Sequence, residues 1–165
     1  MTNEQFVCHI SDAEKSLYRV AKSILKNDED CADAIQTAIL KAFAKLDTLK
    51  HEKYFRTWLT RILIHECYRM LKDRKEQVSY EEYMEGQENA LKKIPESVIE
   101  NTPEYSEVFT ALMELEEMYR VPFTLHYIEG YSTKEIAKLL NISVSNVKIR
   151  LSRARARLQN RLGGE

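Results

Sequence analysis

The segment that most constrains the fold spans residues 132–158 and has the pattern of two helices joined by a tight turn. Ser132 is a good N-cap, and Glu135 three residues later completes a capping box, in which each side chain bonds the other residue's backbone N–H. Asn141 follows the first apolar run, where the exit from a helix requires the left-handed conformation that Asn tolerates. Ser143 can then cap a second helix. The pattern predicts a helix-turn-helix.

The second of these helices is predicted to have one apolar side and one basic, hydrogen-bonding side. Its apolar residues recur every three or four positions and therefore form one stripe. They are Val144, Val147, Leu151, Ala154 and Leu158. A helix-turn-helix places such a helix in the major groove of duplex DNA, with its first turns against the base edges. The alternative is a solvated helical hairpin that carries an accidental run of charge.

The charge of the chain is sorted into blocks, although the net charge of the 165 residues is only −1. Residues 50–75 hold eight Lys/Arg against three Asp/Glu, and residues 131–165 hold eight against two. Residues 77–107 between them hold two Lys/Arg against eight Asp/Glu. This distribution predicts two phosphate-facing surfaces separated by an acidic spacer. Association of the opposite blocks with each other in the free protein is the alternative.

The remaining periodicity predicts an all-α protein of two small helical domains joined by an acidic linker, the C-terminal domain carrying the helix-turn-helix. We expect the first domain in residues 1–76, the linker in residues 77–103 and the second domain in residues 104–165. The first domain should contain a helix capped by Ser11 and Glu14, a helix over residues 30–46 with Phe43 on its inner side, and a basic helix over residues 54–72 with Trp58 in the core. The second domain should add a helix from residue 103 and another over residues 116–129. Because Pro122 lies inside that second run, either its first turn is distorted or the helix begins later.

Several classes of function are not expected from this sequence. His65 and Glu66 resemble the start of an H-E-x-x-H zinc motif, but Arg69 occupies the second histidine position. We find no catalytic constellation and expect no enzyme activity, metal, cofactor or small-molecule substrate. No apolar run approaches membrane-spanning length, and the N-terminus is not a signal peptide. The three cysteines are widely spaced, which favours a reduced, cytoplasmic setting.

Three stretches together resemble the extracytoplasmic-function sigma factors, the small two-domain specificity subunits of bacterial RNA polymerase. DCADAIQTAILKAF, at residues 30–43, is similar to the family's D-x-x-Q-x-x-F/I-x-K-A helix. YFRTWLTRI, at residues 54–62, is similar to its F-x-x-W-L-x-R-I motif. Residues 119–158 resemble its C-terminal domain, including the E-I-A, V-K-x-R-L and R-A-R elements. The order and spacing of the three stretches make the resemblance specific.

The resemblance implies a task for each surface. The helix over residues 30–46 would dock on the clamp helices of the polymerase largest subunit. The residues implied in docking are Asp33, Gln36, Thr37 and Lys41. The loop over residues 47–53 and the helix after it would melt the minus-ten element and hold the non-template strand. The residues implied there are Lys50, His51, Lys53, Tyr54, Arg56, Arg61 and His65. The second helix of the helix-turn-helix would recognise the minus-thirty-five element. Its implied contacts are Ser143, Ser145, Asn146, Lys148, Ile149, Arg150, Ser152, Arg153 and Arg157.

The implied partners are RNA polymerase core, through its clamp helices and flap, promoter DNA, and an anti-sigma factor that is often membrane-anchored. The acidic linker would thread along the polymerase channel. Two other classes compete with this hypothesis. A stand-alone helix-turn-helix regulator would bind duplex DNA as a dimer. That hypothesis explains residues 132–158 but not the basic aromatic helix of the N-terminal domain or the acidic spacer. A helical adaptor without a DNA role leaves both basic surfaces unexplained.

Overall fold

A computed structural model describes residues 1–85 and 106–163, with side chains over residues 1–74 and 107–163. These residues form seven α-helices, two short 3₁₀ turns and one π-helical segment, and no strand occurs within them. The predicted all-α fold is confirmed. The expected linker lies mostly outside the described residues, so the domain boundaries at residues 76 and 104 stay predictions.

The N-terminal part begins with a longer helix than the sequence predicted. Helix α1 spans Asn3–Leu25, and Thr2 and Gln5 form its capping box. The expected cap at Ser11 was wrong, because Ser11 lies inside this helix. A capping box earlier in the chain starts the same helix two turns sooner, and an S-x-x-E pattern on a solvated helix face has no capping role.

Helix α2 spans Asp28–Ala44 and begins at Asn27, whose side chain accepts hydrogen bonds from two backbone N–H groups. Three acidic residues in its first turn complement the helix dipole. Two 3₁₀ turns follow, at Leu46–Thr48 and Glu52–Tyr54, and helix α3 spans Phe55–Glu85. Helix α3 therefore extends into the segment that the sequence assigned to the linker.

Helices α1, α2 and α3 pack on one another around a core in which α2 contributes small side chains. The buried residues of α2 that face this core are Cys31, Ala34, Ala38 and Ala42. Small residues at the contact let helix axes approach closely, and the larger side chains of α2 then lie at the edges of the contact. Phe43 was predicted to face inward, but it is 49% exposed. That prediction was wrong, because the alanine stripe occupies the inner position.

The C-terminal part consists of helices α4 to α7. Helix α4 spans Ser106–Glu114, α5 spans Glu117–Phe123, α6 spans Thr133–Leu140 and α7 spans Val144–Gly163. Pro122 lies inside α5, and the chain continues from α5 as a π-helix over Thr124–Ile128. Proline cannot donate the usual helical hydrogen bond, and the i→i+5 bonds of a π-helix are rare outside such local disturbances. Gly130, with a φ of 80°, ends this run before the helix-turn-helix.

The helix-turn-helix has the geometry that the sequence predicts. Ser132 and Glu135 form both hydrogen bonds of the capping box of α6. Asn141 is left-handed, with φ 56° and ψ 48°, and the next residue closes the turn through a 3.0 Å hydrogen bond from Ile142 N to Ala137 O. The Ser143 hydroxyl caps α7 by accepting from Asn146 N at 3.1 Å.

The C-terminal helices complete a core that begins in the N-terminal helices. Leu17 of α1 and Leu59 and Leu63 of α3 belong to the same buried cluster as Leu125 and Ile136. A smaller cluster, formed by α4, α5 and the outer half of α7, includes Leu115 and Leu158. The two halves of the chain therefore lie against each other along an apolar surface. None of the helices in the described part of the chain is long and apolar enough to cross a membrane.

Substitutions at Asn141 test the left-handed turn. We expect Asn141→Gly to keep the free energy of unfolding within about 1 kcal/mol of the parent, because Gly adopts positive φ without a steric penalty. Asn141→Val should lower it by about 1–2 kcal/mol relative to the Gly variant, since a left-handed L-residue with a branched Cβ is strained. Urea unfolding followed by circular dichroism measures both. Equal stability of the two variants would contradict the assigned turn.

Candidate nucleic-acid and partner interfaces

Helix α7 buries its apolar stripe and leaves its polar face in solvent. Val147, Leu151, Ala154 and Leu158 are buried, as the sequence predicted. Most of the predicted duplex contacts are exposed on the other side of the helix. They are Ser143, Ser145, Lys148, Ile149, Ser152, Arg153 and Arg157. This surface is basic, and the major groove of duplex DNA is wide enough to admit an α-helix.

Asn146 and Arg150 occupy the edge of this polar face. Both are partly buried, and Arg150 Nε donates to Asn146 Oδ1 at 3.1 Å. This i, i+4 hydrogen bond orders the arginine along the helix. Arg157 is also ordered, because its guanidinium lies over the Tyr119 ring at 4.1 Å. These two arginines are held by the protein itself, whereas no hydrogen bond or ion pair within the described residues engages the side chain of Arg153.

A second cluster of exposed residues lies on the two 3₁₀ turns before α3. Lys50, His51, Lys53 and Tyr54 are all exposed there. Tyr54 is 54% exposed, and the Lys53 ammonium lies 4.9 Å from the centroid of its ring. The ring of His51 lies 6.0 Å from that of Tyr54 in an edge-to-face arrangement. An exposed ring flanked by cations can stack on an unpaired base while the cations contact phosphates.

Helix α3 continues this surface with three further residues. Arg61 and His65 are exposed, and Arg56 is bound to Glu129 of the C-terminal half. Arg56 Nη2 donates to the Glu129 backbone oxygen at 2.7 Å and lies 3.6 Å from its carboxylate. Among the side chains that the structure describes, Arg56 is therefore the residue of the predicted melted-strand set that forms an ion pair with the C-terminal half.

Helix α2 presents part of the predicted docking surface. Asp33 and Gln36 are exposed and Thr37 is partly buried. Lys41 is turned toward the domain, because its ammonium pairs with Glu66 of α3, whose side chain is only 5% exposed. Arg69 holds the other oxygen of Glu66 at 2.8 Å. Lys41 therefore stabilises a buried carboxylate within the N-terminal part, and its charge is only partly available to a partner.

Sequence reasoning missed two residues on this face. Leu40 is 70% exposed and Phe43 is 49% exposed, although its ring contacts Phe6 edge-on at 5.4 Å. Leu40 stands four residues after Gln36, so both lie on one side of the helix. The signal was present in the sequence, since Leu40 falls outside the alanine stripe. Large apolar side chains in solvent beside polar ones are typical of a protein-binding surface.

Polar groups also meet between the two halves of the chain. Thr60 Oγ1 of α3 lies 2.8 Å from the Tyr131 hydroxyl, and both residues are buried. Burial raises the pKa of Tyr131 above its ordinary value. Arg120 donates to Ser23 O at 2.5 Å and to Leu115 O at 2.6 Å. Burial lowers the pKa of Arg120. These contacts join α1 and α3 to the C-terminal helices.

The described residues contain no group of His, Cys, Asp and Glu side chains that could hold a metal ion. His65 is exposed on α3, and Glu66 beside it is committed to Lys41 and Arg69. Cys8 is exposed, whereas Cys31 and Cys67 are buried. Burial raises the pKa of the Cys31 thiol to about 12, so this thiol stays protonated at neutral pH.

Comparison with known proteins adds independent findings. Residues 10–77 match the family described as Sigma-70 region 2, and residues 105–158 match Sigma-70, region 4. The chain is 30% identical over 154 residues to the RNA polymerase sigma factor SigV of Bacillus subtilis, covering 93% of this chain and 88% of that protein. It is also 30% identical over 141 residues to the ECF RNA polymerase sigma-E factor of Escherichia coli, covering 81% and 74% of the two chains.

Two solved structures share the fold over nearly the whole chain. One is the sigma factor RpoE of Bartonella quintana in complex with the anti-sigma factor NepR, with a TM-score of 0.75 and 22% identity over 97% of this chain and 98% of that one. The other is CnrH in complex with the cytosolic domain of CnrY, with a TM-score of 0.71 and 23% identity over 99% and 91%.

Proposed function

The chain belongs to the extracytoplasmic-function group of the sigma-70 family, and we propose how its surfaces divide the work of promoter recognition. As a member of this family it is an alternative sigma factor, a subunit that directs RNA polymerase to specific promoters. The observation that carries the proposal is the presence in one chain of two separate exposed basic surfaces, one on α7 and one around the start of α3.

Helix α7 recognises the minus-thirty-five element as duplex. Its exposed face follows a helix-turn-helix turn and lies within the residues that match region 4. Arg153 and Lys148 are suited to guanine or phosphate, and Asn146 to adenine. Ser143 contributes mainly by capping the helix, because its hydroxyl accepts a backbone hydrogen bond. The N-terminus of the helix is then aimed at the DNA.

The 3₁₀ turns and the start of α3 hold the melted minus-ten strand. Tyr54 offers a stacking surface for an unpaired base, and Lys50 and Lys53 offer charges for phosphates on either side of it. Arg61 and His65 extend this surface along α3. Trp58 is partly buried and packs against the core, with its ring centroid 5.8 Å from that of Phe55, so its role is structural.

Helix α2 docks on RNA polymerase core, through the clamp helices of the largest subunit. Asp33 and Gln36 supply polar contacts. Leu40, which was not among the docking residues implied by the sequence, supplies the apolar centre. The C-terminal half meets the polymerase flap. The work takes place in the cytoplasm, where the polymerase is, and the acidic segment before residue 104 threads along the polymerase channel.

An anti-sigma factor is the third partner of this proposal. Both solved structures that share the fold contain a sigma factor bound to an anti-sigma factor. The match extends over both halves of this chain, which supports an inhibitor of the same kind for this protein. An anti-sigma factor anchored in the membrane would hold the protein near that surface.

Transcription in vitro with purified core polymerase tests the function. With fragmented DNA of the source organism as template, we expect transcripts with defined start sites only when this chain is present. Mapping of 5′ ends should then reveal a shared upstream and a shared downstream element. Specific duplex binding as a dimer, without polymerase and without new transcripts, would identify a stand-alone regulator instead.

Arg153→Ala should reduce transcription from promoters that depend on the upstream element by about tenfold, because one arginine contact to DNA contributes roughly 1–3 kcal/mol. Arg150→Ala should act in the same direction, since Arg150 lies beside Arg153 on the polar face. Arg155→Ala is the matched control, because Arg155 loses the same charge from the same helix but binds the Tyr127 hydroxyl of its own domain. Equal losses in Arg153→Ala and Arg155→Ala would contradict the assignment.

Leu40→Ala combined with Gln36→Ala should weaken binding to core polymerase by at least about tenfold, which corresponds to roughly 1.4 kcal/mol. Competition with another sigma subunit for labelled core measures the change. Val7→Ala on α1, where Val7 is 64% exposed, is the control for loss of an exposed apolar side chain. Undiminished competition by the double variant would remove α2 from the docking surface.

A further inference from the structure

A buried carboxylate lies where the two halves of the chain meet. The Glu129 side chain has 0% exposure, and Glu129 is the first residue after the π-helical segment. Ser16 of α1 donates to one of its oxygens at 2.6 Å, and Arg19 donates to both, at 2.7 and 3.1 Å. Bonding to Glu129 raises the pKa of Arg19. We refer to Ser16, Arg19, Arg56 and Glu129 as the Glu129 cluster.

Arg56 binds this cluster from the side of α3. Its guanidinium donates to the Glu129 backbone oxygen at 2.7 Å, lies 3.6 Å from the carboxylate, and lies over the Tyr131 ring at 4.7 Å. An aromatic ring and an anionic oxygen acceptor are the two features that a stacked base and its phosphate offer to an arginine. In this arrangement Glu129 and Tyr131 occupy the guanidinium as a nucleotide would.

We infer that Glu129 competes internally with nucleic-acid phosphate, so that the packed arrangement of the two halves limits binding of the melted strand. The inference rests on the proposed role of Arg56. The hydrogen bond from Arg56 Nη2 and the nearby carboxylate of Glu129 engage one edge of the guanidinium and neutralise part of its charge, and Arg19 lies on the same carboxylate. A single strand gains the full charge of these arginines only when Glu129 withdraws, and with it the C-terminal helices that carry it.

The distribution of exposure makes the cluster reversible. Arg19 and Arg56 keep 46% and 50% of their side-chain surface in solvent while Glu129 has none. Separation of the two halves returns the carboxylate to water and leaves the arginines hydrated, so it strands no unpaired charge. The carboxylate is protected only while both halves are together. A phosphate that replaces it can compensate the arginines in the open arrangement.

Other contacts between the halves do not involve the carboxylate. Arg120 binds the carbonyl of Ser23, Thr60 binds Tyr131, and the apolar core passes between the halves. Glu129→Gln keeps the shape of the side chain and removes its charge. The variant should fold, because the shared apolar core is unchanged, while the electrostatic part of the closed arrangement is lost.

Binding of single-stranded DNA to the full chain tests the competition. The probe is a fluorescent single-stranded DNA of mixed sequence, and anisotropy gives the dissociation constant. We expect Glu129→Gln to bind about fivefold to tenfold more tightly than the parent. The matched control is Glu114→Gln, which removes the same charge from an ion pair with Arg161 inside the C-terminal half and should leave binding unchanged.

The salt dependence of single-stranded DNA binding tests whether the arginines released from Glu129 contact phosphates. Each additional phosphate contact on single strands steepens the slope of log K against log salt by about 0.7. Glu129→Gln should therefore steepen the slope, and adding Arg56→Ala to Glu129→Gln should abolish most of the gain in affinity. A purely structural Glu129 would lower stability without either change. A gain that persists without Arg56, or no gain at all, would overturn the inference.

Energy transfer between two dyes measures the separation of the halves independently of transcription. Cys8 on α1 is exposed while Cys31 and Cys67 are buried, so dyes can be placed on Cys8 and on Ser152→Cys at the exposed face of α7. Energy transfer should fall in the Glu129→Gln background, and in the parent on addition of single-stranded DNA. Unchanged transfer in both cases would overturn the inference while leaving promoter-specific transcription intact. A chain that opens as expected but directs no transcription would instead refute the proposed function.

Discussion

The arrangement of the molecule depends on the burial of the apolar side of its C-terminal helices against α1 and α3. Val121, Leu125 and Ile136 share one buried cluster with Leu17 and Leu59, although they lie far apart in the sequence. Burial of apolar surface is the main favourable term in folding and in association. Because this surface is shared, the position of the helix-turn-helix relative to the N-terminal helices follows from it. The same shared surface determines which charged residues face solvent and which meet across the contact.

The polar groups at this contact have a different character from the apolar core. Arg120 and Glu129 are charged and buried, and each is hydrogen-bonded to the opposite half of the chain. Such groups contribute little net stability when paired, and they are costly when one partner is removed. They specify how the halves align, and in the case of Glu129 they also engage Arg19 and Arg56. The competition with a single strand that we infer would therefore arise from the same contacts that align the halves.

Pro122 has an effect beyond its own helix. The π-helical segment Thr124–Ile128 begins two residues after it, and a ring nitrogen of His126 in that segment is hydrogen-bonded to the Tyr131 backbone oxygen at 2.8 Å. Local widening of a helix shifts the direction of the residues after it. Glu129 and Tyr131 come directly after the widened turn and both point into the contact with α1 and α3. The sequence predicted a distorted first turn or a later start for this helix, but α5 begins at Glu117 and the π-helical geometry comes after Pro122. The consequence for Glu129 also required the three-dimensional contact.

The sequence by itself determined the local elements and the family. The capping box at Ser132, the left-handed Asn141 and the apolar stripe of α7 depend on residues within a few positions of one another, and local patterns of this kind are visible in the chain. It failed where a choice depended on distant packing. Ser11 appeared to cap a helix that Thr2 already starts, and Phe43 appeared to face inward where Ala38 and Ala42 lie. Only the tertiary structure decided that Lys41 holds Glu66 and that Arg56 holds Glu129, because an ion pair between residues 25 or more positions apart leaves no periodic signal in the sequence.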